Sequence, residues 1–120
     1  LTYKEAVTMS NTHELNLTNW KGQESIDAMP TKDPMAIEIV TEYIMNGDLG
    51  STGFFRAMLE NNFLTAVIRA DASNIIQIKM WAKWMINHVP ECARGSKHLV
   101  DHWIRMGGIN GRKENVPTEV

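Results

Sequence analysis

Apolar and polar positions follow a helical period along most of the chain, and no alternating strand pattern of useful length occurs. The longest periodic run is Asp71 to Val89, DASNIIQIKMWAKWMINHV. Ile75, Ile78, Ala82, Met85 and Val89 recur every three or four residues, which stacks them on one face of an α-helix. Ile76, Met80, Trp81 and Trp84 make a second apolar face, and Gln77, Lys79, Lys83, Asn87 and His88 stay polar. A helix apolar over so much of its circumference needs neighbours on several sides. It is too short and too charged to span a bilayer, which takes about 20 mostly apolar residues. The run is therefore expected to be the central helix of a bundle, capped by Asp71 or Ser73 and ended by Pro90.

The remaining elements fall on either side of it. Residues 1–32 are polar with scattered hydrophobes and no sustained period; Lys4 to Met9 can make a turn or two of helix, and the segment reads as an irregular N-terminal arm. Asp33 and Pro34 suit the N-cap and first position of a helix that buries Ala36, Ile39, Val40, Tyr43 and Ile44 and stops at Asn46-Gly47. After a turn, Ser51 or Thr52 can cap a helix with Phe55, Leu59, Asn62, Phe63, Ala66 and Val67 on one face, and Asn61-Asn62 can split it. Ser96 caps a last helix with a Leu99, Val100, Trp103 and Ile104 stripe, stopped by Gly107-Gly108. Residues 109–120 read as a flexible tail. The expected fold is all-α, a compact bundle of four to five short helices over residues 33–108.

A chain of 120 residues suffices for one core without metal or disulfide support, and the single cysteine, Cys92, rules out an intrachain disulfide. The lone cysteine fits a reducing compartment, and no signal peptide, lipidation motif or membrane span is evident; Asn16-Leu17-Thr18 matches a glycosylation sequon by its short pattern alone. The net charge of −2 hides an asymmetry. Ten acids face five bases from Leu1 to Ile78, whereas seven bases face two acids from Lys79 to Lys113. The two halves can face each other within one molecule or meet head to tail between copies. A nucleic-acid binder would carry a stronger basic excess.

Gly53-Phe54-Phe55-Arg56-Ala57-Met58-Leu59-Glu60-Asn61-Asn62, Arg69-Ala70-Asp71 with Asn74, then Pro90, Gly95-Ser96, Trp103 and Gly107-Gly108 form a recurring set. It resembles a group of small phage and prophage proteins of unknown function, with a G-G-F-L-x-A-V-L-x-N-D-like stretch, R-A-D-x-x-N and a G-S-x-x-x-V-x-x-W ending. The likeness covers roughly Asp33 to Gly108; Thr52 stands for a first glycine and Asn62 for the usual aspartate. The resemblance implies a viral accessory protein made in the cytoplasm of a bacterial host cell, and no mechanism.

Three groups of residues are candidates for chemistry. Asn62, Arg69, Asp71 and Asn74 could form a pocket for a small anionic ligand, with Arg69 meeting the anion; equally, Asp71 and the asparagines serve as helix caps, with Arg69 paired to Asp71. His98, Asp101 and His102 share one helical surface at metal-ligand spacing, where His88 or Cys92 could complete the set, but the same stripe is the wet side of the helix. Trp20, Trp81 and Trp84 are either core or a contact surface for a partner. Eight methionines suit adaptable packing against a partner. No catalytic set and no cofactor motif emerges. The expectation is a non-enzymatic accessory protein that self-associates and binds a host protein; a nucleotide-type ligand binder and a metal-dependent enzyme are the alternatives.

Overall fold

The computed structural model describes residues 19–50 and 53–115, and among these residues there are eight α-helices, one 3-10 turn and no strand. The fold is all-α, as the periodicity requires. The helices are α1 (Gln23–Asp27), α2 (Pro34–Asn46), α3 (Gly53–Leu59), α4 (Phe63–Arg69), α5 (Ala72–Ile76), α6 (Ile78–His88), α7 (Lys97–Met106) and α8 (Gly108–Asn115), with the 3-10 turn Glu91–Ala93 before α7. The Lys4–Met9 turn, the Asn16 sequon, the Ser51 and Thr52 caps and the end of the tail lie outside the described residues.

Side-chain caps set most boundaries, because the first N–H groups of a helix have no partner inside it. Asp33 Oδ1 accepts from Met35 N at 3.2 Å, with Pro34 at the first position and Gly47 closing α2 at φ 69°. Asn62 Oδ1 accepts from Thr65 N at 3.3 Å, Asp71 Oδ1 from Asn74 N at 2.7 Å, and Ser96 Oγ from Leu99 N at 3.1 Å. Asn61 sits at φ 62° between α3 and α4, a left-handed conformation that asparagine tolerates and that splits the run there.

One core joins α2, α3, α6 and α7, built on Val40, Tyr43, Ile44, Leu59, Trp81, Val89, Val100 and Trp103, all without exposed surface. Polar atoms tie the layers as they are buried. Trp103 Nε1 donates to Tyr43 O at 2.8 Å, and the Tyr43 hydroxyl donates to Ala93 O at 2.5 Å, so α2 is fastened to both α7 and the 3-10 turn. Burial pushes the Tyr43 phenol well above its usual range and keeps it a donor. Phe55 meets Trp81 edge to face at 4.9 Å, Trp81 meets Trp84 at 5.8 Å, and Trp20 meets Trp84 at 6.4 Å.

Four expectations need correction. The central helix is not continuous: Gln77 (φ −99°, ψ 8°) breaks it into α5 and α6, and Ile75, Ile76 and Met80 turn outward at 40%, 82% and 57% exposure. Phe63 also leaves the core, because the break at Asn61-Asn62 resets the register of α4; it is 62% exposed. The arm does not extend to Lys32, since the part of it described here belongs to the body. Met29 is buried, Trp20 packs on Trp84, and Trp84 Nε1 donates to the carbonyl of the buried Ser25 at 2.8 Å. Finally, the chain is helical through Asn115 where a tail was expected. Gly107 (φ 80°) ends α7, and α8 begins at once at Gly108 and lies against α2. A Cβ on Gly108 would come within 2.6 Å of Gly47 N, so that close approach is open only to glycine.

Candidate functional site

An open cleft of about 290 Å³ lies between the α3–α4 corner, α6 and the loop before α7. Met58, Leu59, Ala82 and Met85 form its apolar floor, and Phe63 and Ile86 stand at its lips, 62% and 60% exposed. Asn61 and Asn62 supply amides on one side. Arg94 is the only charged residue in the lining, and no carboxylate joins it. Its guanidinium is held by the carbonyl end of α6: Nε donates to Val89 O at 3.2 Å and Nη2 to Ile86 O at 3.4 Å. A cation at a helix C-terminus is favourably placed against the helix dipole. Gly95 N donates to Leu59 O at 2.7 Å and closes the end of the cleft with backbone.

Beyond the cleft, further large apolar side chains of α4, α5 and α6 are exposed. Leu64 and Ile68 on α4, Ile75 and Ile76 on α5, and Met80 and Ile86 on α6 all stand exposed with Phe63. Only Ala66 of α4 and no residue of α5 is buried.

The residues singled out from sequence separate in space. Asn62 lines the cleft; Arg69, Asp71 and Asn74 do not. Asn62 and Asp71 cap helices, and the Asp71 cap is the Asn74 N–H. Arg69 forms no ion pair with Asp71 among the described residues; its side chain lies across Gly53, where a Cβ would come 2.6 Å from Arg69 Cδ. Asp101 is engaged by Arg56 at 2.5 Å and Lys97 at 2.6 Å, and no three of His, Cys, Asp or Glu gather for a metal among the described residues, His98 and His102 included. The Lys97 and Arg56 hydrogen bonds hold the Asp101 carboxyl below its ordinary value. Trp81 and Trp84 belong to the core and not to a contact surface, being 0% and 3% exposed, with Trp81 against Phe55 and the Trp84 indole donating to Ser25 O; Trp20 is half-buried on Trp84.

Two functional-looking features were not legible beforehand. The Arg94 placement depends on the 3-10 turn folding back over α6. Ser25 Oγ lies 2.8 Å from His88 Nδ1, a pairing across 63 residues. It resembles a nucleophile and base, yet Ser25 is 0% exposed and its hydroxyl already accepts from Lys21 N. A nucleophile without surface cannot reach a substrate, so the pair fastens α1 to α6. No protein-family model matches the chain, and no curated protein or solved structure matches it. None of the described helices is long and apolar enough to cross a membrane.

Proposed function

We propose that this chain is a non-enzymatic accessory protein, of the phage kind its sequence resembles, that binds a protein of the bacterial host cell and so blunts a host defence. The observation that carries this reading is the run of seven large apolar side chains between Phe63 and Ile86, 40–82% exposed. Folding leaves that surface wet at a cost that a partner would relieve. The test is capture from bacterial lysate with the wild-type chain and with an Ile68→Asp/Ile76→Asp variant. One host protein enriched by the wild type and lost with the variant supports the reading; no enrichment by the wild type at any salt concentration counts against it.

The cleft favours a second reading, capture of a small anionic ligand. Its volume lies at the lower end of small-molecule pockets, about 300 Å³ and upward, and Asn62 and Arg94 supply an amide and a cation. Native mass spectrometry decides it: a reproducible added mass per subunit that Arg94→Gln removes supports the ligand, and a bare chain removes it.

A further inference from the structure

Of the large apolar side chains exposed on the described surface, only Met35 lies outside the α4–α6 face. It stands in the first turn of α2, 69% exposed, and is not among the residues lining the cleft of its own chain. Its setting has the opposite charge to that of the cleft. From Lys32 to Glu42 one base faces three acids; Lys32, Asp33 and Glu38 are exposed and Glu42 is half-buried, which leaves the exposed surface net acidic. From Phe63 to Arg94, Arg69, Lys79, Lys83 and Arg94 face Asp71 and Glu91. Lys83 is exposed on α6 just before Ile86, and Arg94 lines the cleft. A lone exposed methionine needs no explanation. An apolar cleft of opposite charge supplies one, because an unbranched, polarizable side chain fills an irregular gap well.

We propose that Met35 of one copy seats in the cleft of a second copy, with Glu38 facing Lys83 and Arg94, so that the chains associate head to tail. The two surfaces differ, so the contact is heterologous: each copy carries one knob and one socket. The inference goes beyond the host-binding reading. It occupies the inner lips of the face, Phe63 and Ile86, and leaves Leu64, Ile68, Ile75 and Ile76 open. A contact built on one anchor falls below the standard interface size, so association is weak, reversible and weakened by salt.

Sedimentation velocity over a concentration series tests it, with circular dichroism as the check on folding. The wild type is expected to associate reversibly and less at high salt. Met35→Asp and Ile86→Asp, both at exposed positions, should each sediment as monomers. Mixed, they should form a one-to-one heterodimer and go no further, since one variant keeps the socket and the other the knob. The charge-reversed pair gives an independent check: Glu38→Lys and Lys83→Glu each weaken association about tenfold or more, and combined they restore it. A wild type that stays monomeric at every concentration overturns the proposal, as does a mixture of the two folded variants that stays monomeric. Association that survives both single variants also overturns it and places the contact elsewhere.

Discussion

Helices α4 and α7 are both rich in apolar residues and end up in opposite environments. In α4, FLTAVIR, five of seven residues are apolar, and only Ala66 is buried. In α7, KHLVDHWIRM, the apolar share is smaller, yet Val100 and Trp103 lie without exposed surface. The difference is arrangement. Leu99, Val100, Trp103 and Ile104 share one stripe of α7, with Lys97, His98, Asp101, His102 and Arg105 on the other. In α4 the apolar residues spread over more than half of the circumference, with Thr65 and Arg69 on the remainder, and only the Ala66 edge is buried. What burial leaves over becomes surface. The molecule thus has a locked side, fastened by Trp103 and Tyr43, and an unfinished side, α4 to α6.

The largest expected blow falls on the locked side. Trp103→Ala should lose about 3–5 kcal/mol of stability in urea unfolding, since it empties a fully buried site and removes the donor to Tyr43 O. Gly108→Ala should cost about 1–3 kcal/mol in the same measurement, from the clash with Gly47 N and the positive φ of 67°. At the start of the unfinished side, Asp71→Ala removes the α5 cap and should cost about 1 kcal/mol, seen also as faster amide exchange in α5.

A smaller effect is set by pH. Burial, then the Lys21 ammonium, holds His88 below the ordinary histidine value of 6.5. The unfolded chain therefore takes up a proton that the folded chain resists. The stability is present in full above about pH 6.5 and is lost as pH falls from there toward the folded-state value. Urea unfolding across that window should show the slope in the wild type and lose it in His88→Gln. The smallest effect belongs to the exposed face: Ile68→Asp should change stability by no more than about 0.5 kcal/mol, although the wild-type side chain is large and apolar. A loss of several kcal/mol there would mean that the face is covered, and the contrast between the two sides would fail.

Fold class and helix ends were readable in the sequence because their causes are local. Asp33, Asn62, Asp71 and Ser96 cap the helices they precede, and Gly47 and Gly107 end α2 and α7 in the left-handed region. The candidate site was readable only in part. Asn62 reached the cleft, while Arg69, Asp71 and Asn74 were grouped by their nearness in sequence and serve separate local ends. Arg94 gave no signal, since its role arises from a turn that returns it to the end of α6.

By itself the sequence determined the all-α class, most caps and stops, the α2 and α7 stripes, and the two apolar faces of the Asp71–Val89 run. Those are matters of period and of short-range hydrogen bonds, which act within a few residues. Only the tertiary structure decided which apolar face is covered. Trp81 and Trp84 are covered while Ile76 and Met80 stay in water, the break at Asn61-Asn62 leaves Phe63 outside, and the contact of Gly108 with Gly47 joins α8 to α2. A break of one residue redirects every side chain after it, and whether the new direction meets protein or water depends on segments distant in the chain.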